Sequence, residues 1–237
     1  MMKTYAIILA GGRGSRMQTD TPKQYLDLLG RPLLFYSIKA FADWGVDEIV
    51  LVCGEGDENY CRETFVEKYG FTQITQIVVG GKQRYHSVMH GLSVIPYGEG
   101  IVMIHDGARA FVDQATITNC YKDAVTYGSG VAAVASKDTI KVVDTDGFVK
   151  DTPARSSLYI VQTPQTFQLA VIKAAYERLE TEETFLLEKG VQITDDAQIA
   201  ELYCEKKIKM SAGAYTNIKV TTPEDLVMGE MILKSIL

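Results

Sequence analysis

Leu9-Ala10-Gly11-Gly12-Arg13-Gly14-Ser15-Arg16-Met17, followed after four intervening residues by Pro22-Lys23-Gln24, decides the reading of this chain. The apolar run Tyr5-Ala6-Ile7-Ile8-Leu9 leads directly into it and reads as a buried strand. A glycine-rich turn leaving such a strand lets backbone N–H groups approach phosphate oxygens without interference from Cβ. Two cations, Arg16 and Lys23, stand within reach of the same anion. Neither common phosphate loop fits. The dinucleotide fingerprint needs a third glycine where Met17 stands, and a Walker loop needs Gly-Lys-Ser/Thr, whereas the only Gly-Lys pair is Gly81-Lys82, followed by Gln83.

Outward from this loop, strand and helix patterns alternate. Strands are expected over 4–10, 47–53, 75–79, 101–105 and 131–135, with helices over 32–45, 57–69, 81–95 and 113–127. Such alternation implies βαβ crossovers and a mainly parallel sheet covered on both faces. The rhythm breaks at 136–163. There Thr139–Val143, the turn Asp144-Thr145-Asp146-Gly147 and Phe148-Val149-Lys150 read as a β-hairpin arm projecting from the core. The remainder, 164–237, predicts helices over 168–189, 195–204 and 223–236, with strands near 206–210 and 217–221. Residues 1–237 therefore read as one domain with an arm.

With 46% hydrophobic and 23% charged residues, the 237-residue chain can bury a sizeable core. A net charge of −6 argues against a nonspecific grip on nucleic acid, while leaving room for a local basic pocket. Cys53, Cys61, Cys120 and Cys204 form no Cys-x-x-Cys, and His86, His90 and His105 complete no zinc pattern. Reduced cysteines in a cytoplasmic protein are expected. The apolar run at the start is too short for a signal peptide or a membrane span.

Ligands of open parallel sheets sit beyond the C-terminal strand ends. That rule collects three segments into one cleft. The first is the loop from Ala10 through Gly11, Gly12 and Gly14 to Arg16. The second, Gly80 to Ser87 with Gly81 and Lys82, can present backbone N–H groups and a hydroxyl at a helix N-terminus. The third is His105-Asp106-Gly107-Ala108-Arg109. Asp106 is the best metal-ligand candidate, since magnesium takes one or two protein carboxylates and otherwise waters and phosphates; the alternative is an aspartate capping the next turn. Arg109 can hold a second phosphate or pair with Asp106. Thr139, Arg155 and Lys219 taken singly read as solvated polar residues. Asp195-Asp196 reads as the cap and first turn of a helix. His105 is expected only to pack or to hydrogen-bond.

The pattern G-x-G-x-R-M then P-K-Q is similar to the signature of the sugar-nucleotide pyrophosphorylase superfamily. More specifically, the run A-G-G-x-G-x-R-M, P-K-Q-Y, G-G-x-x-R-x-x-S, H-D-x-A-R, K-D-T-I-K, Q-T-P-Q-T-F, T-D-D-A and N-I-K-V-T-T-P-E-D-L spans nearly the whole chain. In that order it resembles the 2-C-methyl-D-erythritol 4-phosphate cytidylyltransferase family; the sister family, ribitol-5-phosphate cytidylyltransferase, shares most of these motifs. Gly11, His86, Ala110 and Tyr159 depart from the erythritol pattern, where alanine, aspartate, proline and tryptophan are usual.

The resemblance implies a Rossmann-like α/β fold of the nucleotidyltransferase type, and attack by a polyol phosphate on the α-phosphorus of CTP with release of pyrophosphate. It implies that Arg16 and Lys23 stabilise the transition state and that Asp106 holds Mg²⁺. It places Ala10, Gly11, Gly12, Gly14, Gly81, Ser87, Asp106 and Gly107 at the nucleotide, and Arg155, Lys219, Thr139, Arg109, Thr163 and Lys141 at the acceptor. It also implies a homodimer in which the arm, with Thr139, Lys141 and Arg155, serves the partner's site. Neither nucleic acid nor membrane is an expected partner. Two other classes are weighed against this one: a regulatory nucleotide-binding module, opposed by Arg16, Lys23 and Asp106, and a Rossmann oxidoreductase, opposed by Met17.

Overall fold

The computed structural model describes residues 2–12, 17, 21–204 and 207–236. In chain order the first elements are β1 (Thr4–Ala10), the short pair β2 (Asp27–Leu28) and β3 (Arg31–Pro32), α1 (Leu33–Trp44), β4 (Glu48–Cys53) and α2 (Glu58–Cys61). A π-helical stretch over Arg62–Lys68 continues α2. Then come β5 (Ile74–Val79), α3 (Arg84–Ser93), β6 (Ile101–Asp106), α4 (Gln114–Tyr127), β7 (Ser129–Ala135), β8 (Val142–Val143) and β9 (Val149–Asp151). The last are β10 (Tyr159–Gln168), α5 (Leu169–Glu188), α6 (Asp196–Tyr203), β11 (Met210–Ala212) and α7 (Pro223–Ile236).

The main sheet has seven strands in the order β11-β7-β10-β6-β1-β4-β5. Strand β1 pairs in parallel with β4 and β6, β4 with β5, and β11 with β7. Only β10 runs antiparallel, between β6 and β7. Period-two alternation divides the strand side chains between two layers. Ile7, Val50, Val52, Val102 and Ile104 pack with Val88 and Leu92 of α3 and with Ile172, Tyr176 and Leu179 of α5. Ile8, Ile49, Leu51, Ile101 and Met103 pack with Leu34, Ile38 and Phe41 of α1, with Phe65, and with Ile117 of α4. Each such fully buried side chain contributes about 1.5–3 kcal/mol over its exposed state. Asp113 starts α4 by accepting the Thr116 N–H at 2.6 Å. A third cluster, with Leu28, Leu33, Phe111, Val220 and Leu233, pins the tail beside the C-terminal ends of β1 and β6.

The mainly parallel α/β sheet and its alternating helices follow the sequence pattern. The differences lie in the second half. Tyr159–Val161, read as arm, already belong to the sheet, where they pair with Ala135–Ala133. The strand hides in the sequence because Pro164 argues against a central strand. The register against β7 shifts between Val161 and Gln165, and Pro164 falls in that irregular stretch. The arm proper is closed at its base where Ser136 N–H donates to Leu158 O. The strand placed near 206–210 forms instead as β11, paired with Val131–Ala133 of β7. No strand forms over 217–221; in place of a ladder, Val220 N–H donates to Ala108 O and the Asn217 side-chain amide to Thr163 O at 2.9 Å.

Candidate active site

The C-terminal ends of β1 and β6 and the loop that follows β5 meet at a cavity of about 450 Å³. Ala10, Gly11 and Gly12 form one wall, Gly81 to Arg84 and Ser87 a second, and Asp106, Ala108 and Lys219 a third. A second cavity of about 710 Å³ adjoins it along Gly11, Gly12 and Gly81 and reaches Cys53 to Asp57. Among the described residues lining the first, four cations (Lys23, Lys82, Arg84 and Lys219) face one carboxylate, Asp106. In a chain of net charge −6 this is a local positive field suited to a polyanion.

Asp106 ends β6 and is 8% exposed. Arg84 Nε donates to its Oδ1 at 3.1 Å, and Lys219 Nζ pairs with Oδ2 at 2.7 Å. Burial pushes its pKa up, but Arg84 first and Lys219 second outweigh burial and hold the carboxyl well below the usual range. Among the described residues the side chain caps no turn; both its oxygens are held by cations.

Lys23 sits in a short 3₁₀ turn and donates to Val220 O at 2.9 Å, so the P-K-Q segment reaches across to the tail. Gln24, 3% exposed, donates to Ala10 O and ties the same turn to the glycine loop. Gly14 and Arg16 lie outside the described residues. On the second wall the Ser87 hydroxyl accepts the Gly81 N–H at 3.0 Å and donates to Gln83 O at 3.3 Å. A Cβ on Gly81 would come within 2.3 Å of His86 Cβ, so the chain can pass here only as glycine. His86 accepts the Gln83 N–H at Nδ1, and its Nε2 meets Glu183 at 3.0 Å.

Several expected contacts are placed differently. Gly107 does not line the cavity: its N–H donates to Leu9 O, and a Cβ there would lie 2.7 Å from Leu34 Cδ1. Its glycine is required by packing. The Arg109 guanidinium donates to Asn217 O at 2.9 Å and Val161 O at 3.4 Å rather than to Asp106. Thr163 is 4% exposed and stands behind Asp106, where its Oγ1 accepts the Asp106 N–H at 3.0 Å. Its hydroxyl lies 3.0 Å from His105 Nδ1, and His105 Nε2 lies 3.1 Å from Arg109 O. A carbonyl can only accept, so Nε2 carries the proton and Nδ1 accepts from Thr163. Burial lowers the His105 pKa to about 4 and keeps the ring neutral. His105 is thus a hydrogen-bonding wall residue, as the sequence suggests.

Thr139, Lys141 and Arg155 are exposed on or beside the arm and line neither cavity. Lys141 Nζ donates to Thr152 Oγ1 at 2.8 Å and Arg155 Nη1 to Lys137 O at 3.3 Å. The sequence reading missed Arg84 and Asp196 as partners. Asp195 is indeed a helix cap, accepting the Gln198 N–H at 2.9 Å, but Asp196 beside it is fully buried and takes the Arg84 guanidinium bidentately at 2.9 and 2.8 Å. Both residues stand in quoted motifs, G-G-x-x-R-x-x-S and T-D-D-A, which were the available signal.

Comparison with known proteins agrees with this geometry. The family model described as 2-C-methyl-D-erythritol 4-phosphate cytidylyltransferase (IspD) matches residues 4–235. A relative from Clostridium novyi bearing that name is 43% identical over 237 residues, covering 100% of this chain and 99% of the relative. Another from Clostridium botulinum is 44% identical over 229 residues, covering 96% and 98%. Among solved structures, 4-diphosphocytidyl-2C-methyl-D-erythritol synthase from Anaerococcus prevotii superposes with a TM-score of 0.83 at 31% identity, covering 98% of this chain and 99% of that one. The Francisella tularensis 2-C-methyl-D-erythritol 4-phosphate cytidylyltransferase gives 0.75 at 28%, covering 97% and 99%. With a glycine loop, a cation-rich cavity and matches over its whole length, the chain belongs to the 2-C-methyl-D-erythritol 4-phosphate cytidylyltransferase family.

Proposed function

We propose that this protein transfers CMP from CTP to 2-C-methyl-D-erythritol 4-phosphate and releases pyrophosphate, in isoprenoid precursor synthesis. A phosphate oxygen of the acceptor forms a bond to the α-phosphorus as the bond to the bridging oxygen of the β-phosphate breaks. The observation that carries this reading is the cluster Arg84–Asp106–Lys219 facing the Gly11–Gly12 loop across a cavity rich in cations. A phosphate monoester has a second pKa of about 6, so the acceptor is already largely dianionic at neutral pH and needs no general base. The walls agree: Asp106 is locked between cations, and His105 is buried, neutral and hydrogen-bonded at both ring nitrogens. Catalysis then consists of in-line positioning and charge stabilisation. Lys23 and Arg16 serve the α-phosphate, and Lys219 serves the incoming phosphate.

Asp106 also suits Mg²⁺, which is commonly held by one carboxylate together with substrate phosphates. Bound there, the ion would neutralise charge on the triphosphate. Arg109, Thr163 and Gly107 support this wall from behind rather than touching the acceptor or the nucleotide. The arm belongs to a homodimer in this reading, with Thr139, Lys141 and Arg155 completing the partner's site; its apolar surface, Phe148 at 73% exposure beside Val142, Val143 and Val149, supports it. The cytoplasm is the proposed location, supported by four cysteines of which, among the described residues, none is in a disulfide. Among the described residues no helix is long and apolar enough to cross a membrane.

The test is pyrophosphate release from CTP with methylerythritol 4-phosphate and ribitol 5-phosphate side by side. Turnover with the first is expected. Faster turnover with ribitol 5-phosphate moves the protein to the sister activity, and turnover with neither overturns the reading. Asp106→Asn is expected to weaken the magnesium dependence; an unchanged titration removes Asp106 from the metal.

A further inference from the structure

The guanidinium of Arg84 spans two carboxylates. Its Nε edge holds Asp106 Oδ1 at 3.1 Å, and its two terminal nitrogens hold Asp196 at 2.9 and 2.8 Å. Asp196 is the first residue of α6 and is fully buried, and its Oδ1 also accepts the Tyr176 hydroxyl at 2.5 Å. Tyr176, on α5, is 3% exposed and sits within the apolar layer formed with Val88 and Leu92. A continuous chain therefore runs from the core of α5 to the cleft: Tyr176, Asp196, Arg84, Asp106. Only Arg84 and Asp106 of these four line the cavity. Burial first and the Asp196 carboxylate second push the Tyr176 phenol far up, so the hydroxyl keeps its proton and donates.

We propose that Asp196 and Tyr176 are positioning residues for cytidylyl transfer, acting through Arg84 to set the orientation of Asp106. The reason is competition for one guanidinium. Arginine prefers to engage a carboxylate bidentately. With its terminal fork committed to Asp196, Arg84 can offer Asp106 only its Nε edge, which leaves Oδ2 facing Lys219 and the cavity. Weaken the Asp196 anchor and the fork is free to close on Asp106, taking both oxygens and displacing Lys219. The charges at the reacting phosphates are then misplaced although every cleft residue is still present. Tyr176 completes the anchor by occupying the Oδ1 lone pair that would otherwise stay unsatisfied in the apolar layer. This inference rests on the proposed transferase activity.

The experiment compares wild type, Tyr176→Phe, Asp196→Asn, Arg84→Lys and the Tyr176→Phe/Arg84→Lys double variant, with kcat and KM for CTP measured beside thermal midpoints. Tyr176→Phe is expected to lower kcat about tenfold while KM for CTP stays within about twofold, and Asp196→Asn to lower kcat further. In the Arg84→Lys background, which lacks the fork, Tyr176→Phe is expected to cost no further kcat, since coupled residues are non-additive. Folded Tyr176→Phe with wild-type kcat, or equal losses in both backgrounds, overturns the inference. Should Asp196→Asn fail to fold, the tyrosine pair still decides. An inactive wild type would sink the transferase reading instead, so the two failures are distinguishable.

Discussion

Lys23 enters the site from a turn outside the sheet, and its bond to Val220 O helps aim it. As a preorganised cation at the α-phosphate it is expected to contribute strongly to kcat. Lys23→Ala should lower kcat by about 10²-fold or more, with a small change in thermal midpoint, because one half-buried hydrogen bond is worth about 1 kcal/mol. Near wild-type kcat would remove it from the reaction. His105 makes a pH prediction. Its pKa falls from 6.5 to about 4 on folding, so between these values the unfolded chain binds the extra proton and the native state does not. Its contribution is therefore intact above pH 6.5 and declines as pH drops towards 4, by about 3 kcal/mol in all at about 1.4 kcal/mol per unit. Chemical denaturation from pH 7 to 4 should show a steeper loss for wild type than for His105→Gln, and parallel curves would refute it. Both residues were visible in the sequence as motif members. Their partners, Val220 O for one and Thr163 with Arg109 O for the other, were not.

The N-terminal turn of α3 shows how an element shapes the cleft. Gly81 threads between the strand end and His86 because no Cβ fits there. Gly81→Ala should therefore move the 81–83 loop and raise KM for CTP about tenfold, while the sheet, whose helices pack on other residues, keeps its circular dichroism. An unchanged KM would mean that the nucleotide does not use this wall. Legibility at this scale was uneven for a physical reason. Strands β1, β4 and β6 are buried on both faces and read as continuous apolar runs. Strand β10 mixes exposed Tyr159 and Ile160 with buried Gln162 and Gln165 and contains Pro164, and only its place between β6 and β7 makes it a strand.

The whole molecule leaves Ile140, Val142, Val143, Phe148 and Val149 of the arm exposed. A two-stranded ribbon is marginal by itself in water, and a two-fold dimer gives each arm a surface. Sedimentation is expected to show a dimer. Mixing inactive Lys23→Ala with inactive Arg155→Ala chains should restore part of the activity, because one hybrid site then holds both intact residues. A monomer, or exchanging dimers without complementation, would return the arm to its own subunit. What the sequence determined by itself was the α/β alternation, the glycine loop, the cleft at the strand ends and the family, each read from motifs or periodicities that are local in the chain even where several are combined. Tertiary structure alone decided which charges meet: Arg84 with Asp196 across 112 positions, Lys23 with Val220 across 197, and Asp106 caught between Arg84 and Lys219. Such pairings depend on how helices dock and which rotamers the packed core permits, and no local periodicity encodes that distance.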